Sequence, residues 1–231
     1  MENYILKVKN LTIELDGERV INNLSFSIKK GEFLTILGPN GSGKTVLLKT
    51  LLGLLPYSGT ITWSDEVKIG YVPQGLTQLE VRNLPLLVEE FFSLKKIEKN
   101  KIDKLLILVG IKNKSFLKKK IGNLSGGQFQ RMLLVWALSS NPNVLLFDEP
   151  TTGVDISGEE TVYNLLNNLW KKNKITIFLI THDLNIVTKY STDVLCISRD
   201  NICHNKPQEV LLPEMLEKIY QAPVKYYEHK H

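Results

Sequence analysis

Eight consecutive residues, Gly38-Pro39-Asn40-Gly41-Ser42-Gly43-Lys44-Thr45, constrain this 231-residue chain more than any other stretch. They fill every position of G-x-x-x-x-G-K-[ST], a loop that grips phosphate. Gly38 and Gly43 let the backbone turn tightly enough for several N–H groups to face one concavity. In this pattern Lys44 reaches the outer phosphates and Thr45 offers its hydroxyl to magnesium. The flanks agree. Phe33 to Leu37 reads as a buried strand, and Val46 to Leu55 as an apolar helix whose positive N-terminus faces the loop.

The rest of the chain supplies the frame such a loop needs. Lys7 to Leu15 and Val20 to Ile28 alternate apolar and polar residues around Asp16-Gly17-Glu18, which predicts two half-buried strands and a turn. Thr60 to Trp63 and Val67 to Val72 read as further strands, the second leading to Gln74. From Leu84 to Leu138 the apolar spacing becomes helical. Val144 to Phe147 and Ile175 to Ile180 are short apolar runs, each followed by a helical pattern, and Val194 to Ser198 adds a last strand. Strands alternating with helices predict an α/β fold with a mainly parallel sheet and ligands at the strands' carboxyl ends. With 43% hydrophobic residues the chain can bury a core of that kind.

Charge narrows the partners only slightly. The net charge of +5 comes largely from lysines between Lys95 and Lys120, and no aromatic residues interleave with them, which argues against nucleic acid. A solvated helical face is the simpler reading, with an anionic membrane surface as the alternative. The longest apolar runs fall short of the ~18 residues a membrane helix needs, and no signal-peptide core is present. Cys196 and Cys203 show no metal-type spacing; a reducing compartment and no structural disulfide are expected.

Two further stretches carry chemistry. Val144 to Phe147 delivers Asp148 and Glu149 at a strand's carboxyl end, where Asp148 can hold magnesium through water and Glu149 can orient or deprotonate an attacking water. Leu124-Ser125-Gly126-Gly127-Gln128 opens a helix: Ser125 can cap it, while two glycines in succession suit close approach to a second phosphate group.

Taken along the chain, Gly38 to Thr45, Gln74, Leu124 to Gln128, Asp148-Glu149, Thr152-Gly153-Val154-Asp155 and His182 stand in the order found in ATP-binding-cassette ATPases, and the chain resembles that family over essentially its whole length. The resemblance implies a phosphate-loop NTPase core with helices on both sheet faces, an N-terminal antiparallel β region and an inserted helical subdomain. Residues 1–231 then form one ATPase domain, with a core lobe of 1–83 and 142–231 and a helical subdomain of 84–141. It implies ATP and Mg2+ as ligands, with Thr45, Gln74 and Asp148 around the metal. Glu149, His182, Lys44 and Gln74 are the implied catalytic set, His182 at the γ-phosphate. Two copies would sandwich ATP head to tail, Ser125, Gly126, Gly127 and Gln128 of one closing over the other's loop and Asp155 lying at the seam.

The family usually stacks an aromatic residue on adenine near the end of the first strand. Leu15 stands there, so weaker adenine binding, or an aromatic from elsewhere such as Tyr4, is expected.

Within the family, the Gly59 to Trp63 hairpin, the Lys68 to Gln74 strand, the Asn83-Leu84-Pro85 turn, Gly153 to Asp155 with the Ile156 to Leu169 helix, and the ending from Val194 to Val210 are similar to zinc/manganese uptake importers. That resemblance implies a transmembrane permease as partner on the cytoplasmic side of the membrane, and indirectly an extracellular or periplasmic metal-binding protein. A cassette for another cargo or for export, or a soluble ATPase switch, are the alternatives. Cys203, His204, His229 and His231 are candidate zinc ligands only by type, because their spacing is not that of a ligand set.

Overall fold

A computed structural model describes residues 3–74, 85–150, 156–198 and 202–221, without the side chains of 114 and 156–161. The chain divides into two compact units, Met1–Glu66 with Thr176–His231, and Val67–Ile175.

In the first unit, strands β1 (Tyr4–Leu15) and β2 (Glu18–Lys29) form an antiparallel hairpin. Asp16 and Gly17 turn it with φ of 52° and 81°, the two positive values that a two-residue hairpin turn requires. Strand β4 (Ser58–Trp63) pairs with the other edge of β1. The expected alternation is visible in the burial of Leu6, Val8, Leu11 and Ile13.

Beside this hairpin sheet lies a parallel one. Strand β3 (Phe33–Leu37) runs between β7 (Thr176–Ile180) and β8 (Asp193–Ile197), parallel to both. All residues of these three strands are buried, which is why they read as unbroken apolar runs. Helix α1 (Lys44–Leu51) follows the phosphate loop, beginning two residues earlier and ending four residues sooner than the apolar pattern predicts. Gly53 ends it, with φ 72°.

The strand β9 (Ile202–Asn205) lacks the apolar pattern of the others and pairs antiparallel with β8. That register sets Cys196 opposite Cys203 with Cα atoms 4.9 Å apart, and the two form a disulfide. The expectation of unpaired thiols is therefore corrected: residues seven apart in sequence become cross-strand neighbours only once the hairpin exists. Helices α6 (Leu184–Tyr190), α7 (Pro207–Val210) and α8 (Pro213–Tyr220) complete the unit.

In the second unit, β5 (Ile69–Val72) pairs parallel with β6 (Val144–Asp148). Helices α2 (Val88–Ser93), α3 (Lys99–Leu108), α4 (Gly126–Leu138) and α5 (Ile156–Asn173) make up its helical part. Asn83 and Leu84 of the expected turn before α2 lie outside the described residues. One lysine of the basic stretch is structural. Lys95 Nζ donates to the Trp136 carbonyl at 3.0 Å, capping the end of α4, and lies 5.0 Å from the Trp136 ring. Among the described residues no helix is long and apolar enough to cross a membrane.

Candidate functional site

The phosphate loop is shaped by backbone first. Gly38, Gly41 and Gly43 have φ of 150°, 77° and 96°. At Gly38 the need for glycine is absolute: an added Cβ would lie 1.9 Å from the Ile197 carbonyl oxygen. At Gly43 an added Cβ would meet the Val20 side chain at 2.7 Å. Val20 is thus a lining residue of the loop that sequence reading missed, because only the β1–β2 hairpin brings it there.

Gly43 is also the N-cap of α1, and no side chain caps that helix end. The positive end of the helix dipole faces the loop there, and a helix N-terminus of that kind favours an anion. Lys44 is buried, and its Nζ donates to the Gly38 and Pro39 carbonyls, both at 2.8 Å. Ser42 Oγ is buried with no hydrogen-bond partner among the described residues. An orphaned hydroxyl is costly unless a ligand oxygen meets it, so the loop fits a phosphate-bearing guest. Thr45 is half-buried on the first turn of α1, and Asn40 is exposed.

His182, also in this unit, is exposed just after β7, and Asp183 caps α6 by accepting from the Asn185 N–H at 2.8 Å. Tyr4, the alternative adenine platform, is not one. It begins β1, roughly 30 Å or more along the strand from Leu15, and its ring lies under Lys7 Nζ at 4.6 Å. Leu15 is half-buried beside the Asp16–Gly17 turn.

In the second unit, Gln74 and Glu149 are brought together. Gln74 Nε2 donates to Glu149 Oε2 at 2.6 Å. They belong to adjacent parallel strands, one following β5 and the other following β6, and 75 residues separate them in sequence. Glu149 has φ 46°, a left-handed backbone rarely adopted by a non-glycine residue outside turns, and such strain is often retained at working sites. Asp148, immediately before it, is fully buried. Its negative charge, with burial as the larger cause, pushes the Tyr71 hydroxyl well above its usual pKa. Carboxylate, amide and hydroxyl oxygens are the donors that a hard divalent cation prefers; the second unit offers the Asp148 carboxylate and the Gln74 amide, and the first unit offers the Thr45 hydroxyl, each of a type that suits magnesium.

Ser125 opens α4 with a reciprocal cap: its Oγ accepts from the Gln128 N–H at 3.3 Å, and Gln128 Oε1 accepts from the Ser125 N–H at 3.4 Å. Gly126 and Gly127 are both helical, and Arg131 Nε donates to the Gly127 carbonyl at 3.2 Å. Asp155 and the Thr152-Gly153-Val154 stretch lie outside the described residues, as do His229 and His231.

Of the candidate zinc ligands, Cys203 and His204 are described, and they serve other contacts. Cys203 is bound to Cys196, while His204 packs edge-on against Phe26 at 6.0 Å and has Nε2 3.9 Å from Asp193. Burial lowers the His204 pKa, outweighing the opposing pull of Asp193. Among the described residues no group of three or more His, Cys, Asp or Glu side chains could hold a metal.

Comparison with known proteins gives this geometry its context. The family model described as ABC transporter matches residues 21–152. The chain is 39% identical over 208 residues to a zinc import ATP-binding protein, ZnuC, of Buchnera aphidicola subsp. Schizaphis graminum, covering 89% of this chain and 86% of that one. It is 38% identical over 212 residues to ZnuC of Wigglesworthia glossinidia brevipalpis, covering 91% and 89%. Among solved structures, cbiO1 from Clostridium perfringens, part of the transporter complex cbiONQ, superposes with a TM-score of 0.77 at 28% identity, over 94% of both chains.

Proposed function

From the premise that this chain belongs to the ABC transporter family, we propose that it is the ATP-hydrolysing subunit of an importer, coupled to a membrane permease and serving zinc uptake. The observation that carries the ATPase reading is the Gly38–Thr45 loop, with its uncapped helix start and buried, orphaned Ser42 hydroxyl. The zinc cargo is supported by the relatives named as zinc import ATP-binding proteins.

The roles follow from chemistry. Backbone N–H groups of Gly41 to Thr45 hold phosphate oxygens, and Lys44, drawn away from its own loop carbonyls, neutralises the outer phosphates. Thr45, Gln74 and Asp148 are the residues that would hold magnesium, which would supply charge neutralisation for the phosphates. Glu149 takes a proton from the attacking water as that oxygen bonds the γ-phosphorus and the bond to the ADP oxygen breaks. Gln74 aims the carboxylate through its 2.6 Å bond. His182 steadies the γ-phosphate. Ser125 to Gln128 of a second copy closes the site, and Asp155 lies at the seam between copies. ATP binding drives that closure and hydrolysis reverses it, moving a permease at the cytoplasmic membrane face that receives zinc from an outer metal-binding protein.

Glu149→Gln tests the mechanism. Turnover is expected to fall by about 10²–10⁴, with ATP-bound dimers persisting on size exclusion; normal turnover would remove Glu149 from the base role. The cargo is tested by growth of a deletion strain under zinc or manganese limitation. Rescue by added manganese alone would overturn zinc as the cargo.

A further inference from the structure

The last described helix carries a contact to the phosphate loop that the mechanism above does not use. Helix α8 begins with Pro213 at its first position and buries Leu216 and Ile219, one helical turn apart. Ile219 joins Leu37, Val187, Val194, Cys196 and Val210 in one apolar cluster, with Tyr220 packed against it. Leu37 is the residue immediately before Gly38, so the helix is seated on the base of the loop.

Tyr220 extends that seat to the loop itself. Tyr220 packs beside Leu37, and the Gly38 backbone acts on its hydroxyl as a hydrogen-bonding group. Tyr220 also lines a recess of about 270 Å³ together with Pro39, Asn40, Gly41 and Ser42. Burial raises the Tyr220 pKa, and the Gly38 bond works against that rise, so the phenol stays protonated at neutral pH.

Gly38 is therefore gripped at several points. Its Cα stands against the Ile197 carbonyl with no room for a methyl group, its backbone meets Tyr220, and its carbonyl receives Lys44 Nζ. The direction of this one residue sets where Pro39 to Ser42 go next. We propose that Tyr220 is a positioning residue for nucleotide binding: its hydroxyl holds the Gly38 backbone, and the end of α8 is thereby a working wall of the phosphate loop.

The proposal rests on the assignment of Gly38–Thr45 to phosphate binding. Both are tested by measuring ADP and ATP dissociation constants, kcat, KM and thermal midpoint on the full chain. Tyr220→Phe removes only the hydroxyl. It is expected to raise the nucleotide dissociation constant and KM about 3–10-fold, the worth of one hydrogen bond, while kcat changes less than twofold, the thermal midpoint holds and the Gly38 amide resonance shifts. An unchanged dissociation constant overturns the proposal. Ile219→Val trims the same packing without touching the hydroxyl, and if it reproduces the rise, packing is the cause and the proposal falls. Lys44→Ala separates the two readings: undiminished nucleotide binding there refutes the loop assignment itself, whereas lost binding with a silent Tyr220→Phe refutes only the role of Tyr220.

Discussion

Two helices in this chain begin at glycine-rich turns, and they begin in opposite ways. Helix α1 starts at Gly43 in a left-handed conformation with no side-chain cap. Helix α4 starts at Ser125 in an extended conformation, with Ser125 and Gln128 satisfying each other's backbone donors. The first receives no cap from its N-cap residue, whereas the second ties up two of its N-terminal donors from within. Glycine also does different work in each. Gly38 and Gly43 adopt φ values of 150° and 96° and have no space for a Cβ. Gly126 and Gly127 are ordinary helical residues, where glycine costs about 1 kcal/mol each relative to alanine. A residue type that its own fold does not need points to something outside that fold, and close approach of a second copy's nucleotide is the reading we favour.

The largest effect that would break this comparison is at the first turn. Gly38→Ala places a methyl carbon against the Ile197 carbonyl and should abolish measurable nucleotide binding in a titration; retained affinity would mean the loop tolerates a shift of its first residue. Gly127→Ala should do the reverse to stability. The chain gains up to about 1 kcal/mol of helix propensity, raising the thermal midpoint by roughly 2–4 °C, yet ATP-driven dimerisation and turnover fall at least tenfold. A stabilised variant with full turnover would leave Gly127 without the proposed role. The smallest effect sharpens the account of the cap. Ser125→Ala should cost about 0.5–2 kcal/mol in denaturant unfolding, with ADP affinity of the single chain unchanged, since that chain holds ADP through α1.

Local patterns explain why some of this is readable from residues alone. Strands β3, β6, β7 and β8 are buried throughout, so their apolar runs stand out, and the Asp16–Gly17 turn carries its own backbone signature. The cap at Ser125 is legible because Gln128 stands three residues on. What escapes depends on the fold closing. Val20 reaches Gly43 only through the hairpin, Tyr220 reaches Gly38 only through the seat of α8, and Cys203 reaches Cys196 only through the β8–β9 register. Strand β9 escapes because Ile202-Cys203-His204-Asn205 has neither alternation nor an apolar run. Nor does a strand ending in Asp-Glu announce the left-handed backbone of Glu149, since its type is one that normally avoids that region.

Strand β9 closes its sheet at the outside, with β8 as its neighbour. An open edge invites another chain to add a strand, and the usual deterrents are brevity, charge and proline. All three meet here: β9 has four residues, Lys206 follows it and binds Asp193 at 2.9 and 3.0 Å, and Pro207 offers no N–H beyond. The bond between Cys196 and Cys203 adds a rivet that keeps this border from peeling away. For the pairing of two copies proposed above, a rim that refuses neighbours is an advantage, because pairing edge to edge would gather copies into chains that cannot close in pairs.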